Sequence, residues 1–538
     1  MWFCTLAINL LNFATRIGVF NQVEFTNHFF LLSHTQVHHK LVLERFGFKC
    51  SHSYFHWYFL FQPITGDLEN LIPTRRPSIL TFEPGVAKVL PQYLATIIVT
   101  IGGFICGTII AWSSPAAVKL ENGEDGFPVD ENDMSWIGGI MPIGAIVGCI
   151  LTALVVDILG RKNTMIVVVL PCTIGWSLIV WADSVLMLCI GRFILGTTCG
   201  SFTIICPMYT AEICQKEVRG TLGTIFQLQV VSGILFLYIL GSFLSLFHLS
   251  LICMVLPTVY LVFICMIPES PVYHLKLGRI DEAKQSLQSL RGPNYNILSE
   301  LVDLSALVDS SSETEEIPFS IAIRSPAAIK GLIIGLGVMF FQQFSGVNAV
   351  IFYAASIFKN AGSSFSYNVS SIIVGSVCVA FTYLSTLIID KLGRRVLLLF
   401  SSVVMTGCTC GLGVYFYAQS HDYDMSHVQI FPILSVCGFI VAFSLGFGPI
   451  PYMLISEIFS PQIKGTASSI VCLFNWVCCF IVTKYFCILS TRFGSDVTFG
   501  AFSFLSFLGI FFVYFVIPET KGKSMEEIQS HLAGSDDS

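Results

Sequence analysis

The chain has 538 residues, 54% of them hydrophobic and only 12% charged, with a formal net charge of −6. Soluble globular chains carry about 25% charged residues, so most of this one must face lipid or packed helices, and an ordinary soluble fold is excluded. A small negative charge also gives no footing for nucleic acid.

In chain order, the first ninety residues carry no convincing element. Met1–Phe20 is apolar but broken by Arg16 and lacks a small-residue cleavage site, so it does not read as a signal peptide. His34, His38, His39, His52 and His56 match no metal-ligand spacing. Residues 1–91 are therefore read as an extension, disordered or mis-joined. Beyond them lie runs long enough to cross a bilayer, which takes about 20 mainly apolar residues with the backbone satisfied inside the segment. Six occur at Tyr93–Trp112, Trp136–Val156, Thr164–Trp181, Leu188–Met208, Leu222–Phe243 and Leu249–Ile267. Six more occur at Gly331–Phe352, Ser371–Ile389, Val396–Tyr417, Ile430–Ile455, Ala467–Ile488 and Phe499–Ile517. Residues 92–267 and 329–517 thus form two helical units, joined by a polar linker over 268–328 and followed by a tail over 518–538. The stretch from Arg279 to Ser310 reads as short amphipathic helices.

Loop charge sets the orientation. Arg161, Lys162, Lys216, Arg219, Lys276, Arg279, Lys391, Arg394, Arg395, Lys464, Lys521 and Lys523 fall on one side, which the positive-inside rule makes cytoplasmic together with both chain ends. Glu121, Glu124, Asp125, Asp130, Asp183, Asp422 and Asp424 fall on the other. Nineteen cysteines lie mostly inside apolar runs, as at Cys106, Cys149, Cys265 and Cys472, where a thiol serves as a small hydrophobe. No metal site and no cofactor is expected.

The two units repeat. DILGRK at Asp157–Lys162 is echoed by DKLGRR at Asp390–Arg395, and PMYTAE ending at Glu212 by PYMLISE ending at Glu457. Arg219-Gly220 is echoed by Lys464-Gly465, and Pro268-Glu269-Ser270 by Pro518-Glu519-Thr520. A parallel repeat of this kind implies two six-helix bundles with a site between them near midplane.

DILGRK, GRFILG, PMYTAE, PESP, QQFSGVN, DKLGRR, GFGPIP and PETKGK follow one another in order. On that ordered set the chain from about Gln92 resembles the sugar porter family of the major facilitator superfamily. SWIGGIMP at Ser135–Pro142 and MFFQQFSGVNAVIFY at Met339–Tyr353 are most similar to the insect facilitated trehalose transporters. The resemblance implies an all-α polytopic membrane protein, twelve transmembrane helices in two six-helix bundles. It implies alternating access and facilitated diffusion of a sugar such as trehalose or a hexose, by a monomer in the plasma membrane. Proton-coupled symport, or a sugar sensor on the same fold, are the alternatives.

Sugar hydroxyls want amides, and sugar C–H faces want aromatic surfaces. Gln342, Ser345 and Asn348 fall at three-residue steps, a polar stripe on one helix face with Gln343 beside it; the competing reading is glue between helices. Gly346 lets a neighbour approach or the helix loosen. By resemblance, Gln227, Tyr452, Asn475 and Trp476 join the site, Trp476 being alternatively a core aromatic. Departures from the glucose-facilitator pattern at Cys378, Ser444, Cys479 and Tyr452 remove polar anchors. Gly446, Gly448, Pro449 and Pro451 predict a bend of the tenth run near Leu445 and Phe447, and a hinge there. Arg161, Arg219, Arg394 and Arg395 face Glu212, Glu269 and Glu457, and the resemblance implies a salt-bridge network holding the inner mouth closed. Lys484 has no role in the family and is expected to snorkel outward. Asn368-Val369-Ser370 is an acceptor sequence for N-glycosylation. GKS at Gly522–Ser524 lacks the glycine and strand of a phosphate loop, so ATP-driven pumping is excluded, and no nucleophile–base set points to an enzyme.

Overall fold

The computed structural model describes residues 87–121, 129–215, 217–313, 325–362, 365–425, 427–523 and 525–533. Nearly all of the 1–91 extension falls outside them. Every regular element among the described residues is a helix, and twelve helices are long and apolar enough to cross a membrane. Each predicted run falls on one of these spans, overrunning it at Trp181, Ile267, Ile430 and Ile517; the spans are numbered here in chain order. The first six are Leu90–Glu121, Glu131–Leu159, Arg161–Val180, Val185–Ile213, Arg219–Phe243 and Leu246–Cys265. The second six are Pro326–Ala361, Tyr367–Ile389, Arg394–Ser420, Phe431–Ile455, Gly465–Phe493 and Ser495–Val516.

Two of the spans are longer than the apolar runs suggest. Ser113-Ser114-Pro115 looks like a stop, yet the first span bends at Trp112 and continues as Ser113–Glu121. Its repeat mate, the seventh, likewise runs past Phe352 to Ala361. These two terminal segments pack on each other, so burial against a partner overrides a weak local sequence.

Within the N-terminal bundle the second span packs on the fourth, the first on the fifth and the third on the fourth and sixth. The first of these pairs is a backbone contact. A Cβ at Gly144 would come within 2.1 Å of the Phe193 carbonyl, and one at Gly196 within 2.1 Å of the Met141 carbonyl, so only glycine fits either place. In the C-terminal bundle the ninth span packs on the tenth and twelfth, and the seventh on the eleventh. Three short helices, Pro271–Lys276, Ile280–Arg291 and Leu298–Glu313, follow the sixth span. They bury Leu275, Ala283, Leu287, Ile297 and Leu301 against one another. Arg291 pins them to the fourth span, donating to the Ile213 carbonyl at 2.9 Å and pairing with Glu300 at 2.6 Å.

Contacts between the bundles gather at the end away from the motif arginines. There the second span packs on the eleventh, the fifth on the eighth, and the end of the first on the end of the seventh. Ser114 Oγ accepts from the Ala355 N–H at 3.0 Å, and Tyr238 donates to the Ile351 carbonyl at 2.6 Å. Glu121 pairs with Lys359 at 3.0 Å on the rim.

Candidate sugar-binding site and its setting

Two helix breaks meet in the C-terminal bundle. The seventh span ends its first helix at Phe344, where Ser345 Oγ donates to the Gln342 carbonyl at 2.7 Å. Gly346 then takes φ 93°, in the left-handed region, and a Cβ there would also strike Phe502 at 2.7 Å. The tenth span stops at Leu445 and restarts at Ile450, around the predicted Gly446, Gly448, Pro449 and Pro451. The predicted bend is thus a full interruption. The stripe at 342, 345 and 348 needs correction: the break at Gly346 interrupts the helix, and convergence rather than helical spacing brings the amides together.

Broken helices leave carbonyls without helical donors, and side-chain amides supply them. Gln342 Nε2 donates to the Phe447 carbonyl at 2.6 Å, and its Oε1 accepts from Asn475 Nδ2 at 2.7 Å. Gln343 Nε2 donates to Asn475 Oδ1 at 3.0 Å. Asn348 Nδ2 donates to Gln343 Oε1 and to the Cys479 thiol, the latter at 3.3 Å. Gln342, Gln343 and Asn475 are buried and Asn348 is half-buried. Four amides from the seventh and eleventh spans therefore form one network anchored to the tenth. The second N–H of Gln343 and the Asn348 carbonyl oxygen keep free capacity among the described residues. A network of this kind holds its members in place when empty and still offers a donor and an acceptor.

The other predicted site residues stand apart from the network. Gln227 is half-buried on the fifth span, with no hydrogen bond to another described residue. Tyr452, just past the tenth-span break, keeps 49% of its surface exposed. Trp476 is half-buried. Three departures from the glucose pattern prove local: Cys378 Sγ and Ser444 Oγ lie 3.8 Å apart, both buried, and Cys479 takes the Asn348 bond.

At the arginine end the repeat builds one motif twice. In the N-terminal bundle Arg161 pairs with Glu212 and Asp157, each at 2.9 Å, while Ser270 also donates to Glu212. Glu269 accepts from the backbone N–H groups of Arg161 and Lys162 at 3.2 and 3.0 Å. In the C-terminal bundle Arg394 pairs with Glu457 at 3.0 Å, and Thr520 donates to Glu457 at 2.6 Å. Glu519 accepts from the Arg394 and Arg395 N–H groups at 3.0 and 3.1 Å. Neither the third nor the ninth span has a side-chain cap of its own, because Gly160 and Gly393 sit at those positions. A carboxylate from the far end of each bundle's last loop caps them instead, where the helix dipole favours an anion. Burial pushes the Glu519 pKa up, but N–H donors from Lys521, Arg394, Arg395 and Thr520 outweigh it and hold the carboxyl below its ordinary range.

Two members of the expected network do not pair with an acid. Arg219 is exposed and bonds the Cys214 carbonyl at 3.4 Å, because its side chain turns back on the loop. Arg395 stacks on the Tyr514 ring at 5.4 Å and bonds that residue's carbonyl. Among the described residues, the pairs that Arg161 makes with Glu212 and Asp157, and Arg394 with Glu457, each lie inside one bundle and brace it. Sequence reasoning missed Asp157 and Glu519 as members, although both stood in the echoed motifs. Arg192 was also missed. It is fully buried in the fourth span, with Nε donating to the Ile137 carbonyl at 3.3 Å, Nη2 to Ser113 Oγ at 2.9 Å and Nη1 to the Ile109 carbonyl. A lone arginine inside an apolar run was the available sign. Asn368 is half-buried in the first turn of the eighth span, and the hydroxyl-bearing Ser370 is buried.

Comparison with known proteins agrees with this geometry. The profile of the sugar (and other) transporter family matches residues 90–532. The facilitated trehalose transporter Tret1 of Polypedilum vanderplanki is 39% identical over 82% of this chain and 88% of its own length. The Tret1-2 homolog of Drosophila simulans is 38% identical over 82% of this chain and 91% of its own. Among solved structures, the major facilitator superfamily proton:xylose symporter XylE bound to 6-bromo-6-deoxy-D-glucose superposes with a TM-score of 0.67 at 23% identity, over 82% of this chain and 99% of that one. The inward-open conformation of XylE from E. coli gives 0.68 at 22% identity, over 81% and 98%. Twelve spans in two repeated bundles, an amide network at two helix breaks and these matches together place the chain in the sugar transporter family, on the major facilitator fold.

Proposed function

We propose that this protein carries a sugar down its gradient across the plasma membrane, as a monomer, with the arginine end and both termini in the cytoplasm. The amide network of Gln342, Gln343, Asn348 and Asn475 carries the reading. Four neutral amides suit a polyhydroxylated, uncharged substrate and offer nothing to an ionic one, and Tyr452 and Trp476 are assigned as its aromatic surfaces. Gln227 completes the site from the other bundle. Relatives named as trehalose transporters point to trehalose first. Thiols at Cys378 and Cys479, where the glucose-facilitator pattern has amides, argue against tight hexose anchoring.

Alternating access is supported by one helix face. On the fifth span, Leu235 and Tyr238 touch Gly375 of the eighth, whereas Gly220 and Gly223 nearer the arginine end have open space beside them and Gln227 lies between. A face that is covered at one end and open at the other suits bundles that rock about a central site. The hinge is assigned to Gly446–Pro451, and the paired arginines stiffen each bundle as it moves.

Uniport is favoured over proton symport by the surroundings of Arg192. Its guanidinium bonds two carbonyls and a hydroxyl and lies 5.4 Å from the Trp112 ring, with no carboxylate paired to it among the described residues. A proton-coupled site needs a desolvated acid that titrates in the pathway. Uptake of labelled trehalose, glucose, fructose and sucrose into proteoliposomes tests the proposal; no uptake of any of them by well-folded protein refutes it.

A further inference from the structure

Lys484 is a basic residue inside the eleventh span, yet only 6% of it is exposed. An ammonium held in a membrane segment normally snorkels out or finds an anion. Here it does neither: its Nζ lies 3.8 Å from the centre of the Trp136 ring, across the boundary between the bundles. The expectation that it snorkels freely is thereby corrected. The reason is that the second span offers it an aromatic face.

The backbone on both sides is fitted to this meeting. Ser135 Oγ donates to the Lys484 carbonyl at 2.7 Å. A Cβ at Gly139 would lie 3.2 Å from Lys484 Cα, and one at Gly138 would lie 2.1 Å from the Tyr353 hydroxyl. That hydroxyl in turn donates to the Thr483 carbonyl at 3.1 Å. Ser135, Trp136 and Gly139 of the second span thus supply a donor, a ring and a bare backbone face to one turn of the eleventh, and Gly138 makes room for Tyr353 of the seventh. The other charged contact across this end, Glu121 with Lys359, has both partners about 40% exposed or more and so contributes little.

We propose that Lys484 and Trp136 form a clasp that holds this end of the pathway closed, making Lys484 a positioning residue for transport. The inference rests on the reading that the two bundles rock. When the end opens, the ammonium must leave the ring and the two spans must part. The cation–ring attraction therefore acts only in the closed state, and that difference is what allows it to bias the equilibrium. Trp136 keeps 41% of its surface exposed, so a pair of this kind shifts such an equilibrium by about two- to fivefold.

The test uses full-length protein in proteoliposomes and native Cys487, which lies one turn beyond Lys484 and within reach of the Tyr353 hydroxyl. The readout is the rate of its modification by a membrane-impermeant maleimide, followed by peptide mass spectrometry. Lys484→Met keeps the bulk and removes the charge; Trp136→Leu removes the ring. Each is expected to speed labelling by about two- to fivefold, with no further gain in the double variant, while Lys484→Arg stays near wild type. Unchanged rates in both single variants, or additive effects in the double, overturn the clasp. Trp136→Phe, which keeps a ring, serves if Trp136→Leu does not fold, and an intermediate rate is then expected, a wild-type rate counting against the clasp. If the wild-type protein moves no sugar, the transport reading fails; if it moves sugar and labelling is unaltered, only the clasp fails.

Discussion

Replacing Gln342 by alanine removes the residue that ties three spans together. Its Nε2 satisfies the Phe447 carbonyl in the tenth-span break, and its Oε1 receives Asn475 from the eleventh. Alanine leaves that carbonyl and one Asn475 N–H without partners in a buried place, at about 1–3 kcal/mol for each group. Relaxation of Asn475 toward Gln343 recovers part of this, so a net stability loss of about 2 kcal/mol is expected. Transport suffers separately. Gln342 holds Asn475, and Asn475 holds Gln343, so the free Gln343 donor is misplaced in the variant; one hydrogen bond to a sugar hydroxyl lost in this way is worth about 1–1.5 kcal/mol, and each ~1.4 kcal/mol is tenfold in affinity. With the tenth-span break also less constrained, the half-saturation concentration should rise at least tenfold. The assay is the concentration dependence of labelled sugar uptake, normalised to folded protein by size-exclusion chromatography. Wild-type half-saturation and rate in a folded Gln342→Ala protein would refute the assignment of the network to the site.

Glu519→Gln should cost about 1 kcal/mol by weakening the cap on the ninth span. Because the folded pKa of Glu519 lies below its ordinary value, the wild-type contribution is fully present above about pH 5 and disappears as pH falls through the folded pKa. Detergent melts from pH 6 down to 3.5 should therefore converge for wild type and Glu519→Gln, and curves that stay parallel count against the cap. At the glycosylation sequence, with Ser370 buried and Asn368 in a helical turn, glycosidase should leave mobility unchanged; a shift that Asn368→Gln abolishes contradicts this. A chain starting near Thr81 should reach the surface and transport as the whole chain does, since it keeps all twelve spans found among the described residues. Loss of both would show that residues before Thr81 matter.

The spans were legible because a run of apolar residues has little choice but to cross a bilayer, and the four echoed motifs fixed their grouping into halves. Gln342 and Gln343 were legible for the complementary reason, as amides in apolar surroundings, whereas Asn475 entered only through the family resemblance. What they do was less so. Their mutual bonds depend on breaks at Gly346 and Gly446, and a glycine in a sequence does not say whether a helix tolerates it, packs on it or stops there. The continuation of the first span through Ser113–Glu121 was hidden because its support comes from the end of the seventh, over two hundred residues away. Charge pairing was half visible: Arg161 with Glu212 and Arg394 with Glu457 follow from the motifs. Whether such pairs bridge the bundles or brace each one depends on packing that no spacing encodes. Lys484 is the extreme case, since its meaning lies wholly in a tryptophan on another bundle.

Sugar accumulation under an imposed inward proton gradient tests the central claim most directly. In proteoliposomes with labelled trehalose, internal and external concentrations should become equal, with or without the gradient. Accumulation above the external concentration, abolished by a protonophore, would contradict facilitated diffusion and require a titrating acid in the pathway that Arg192 and its neutral partners do not provide.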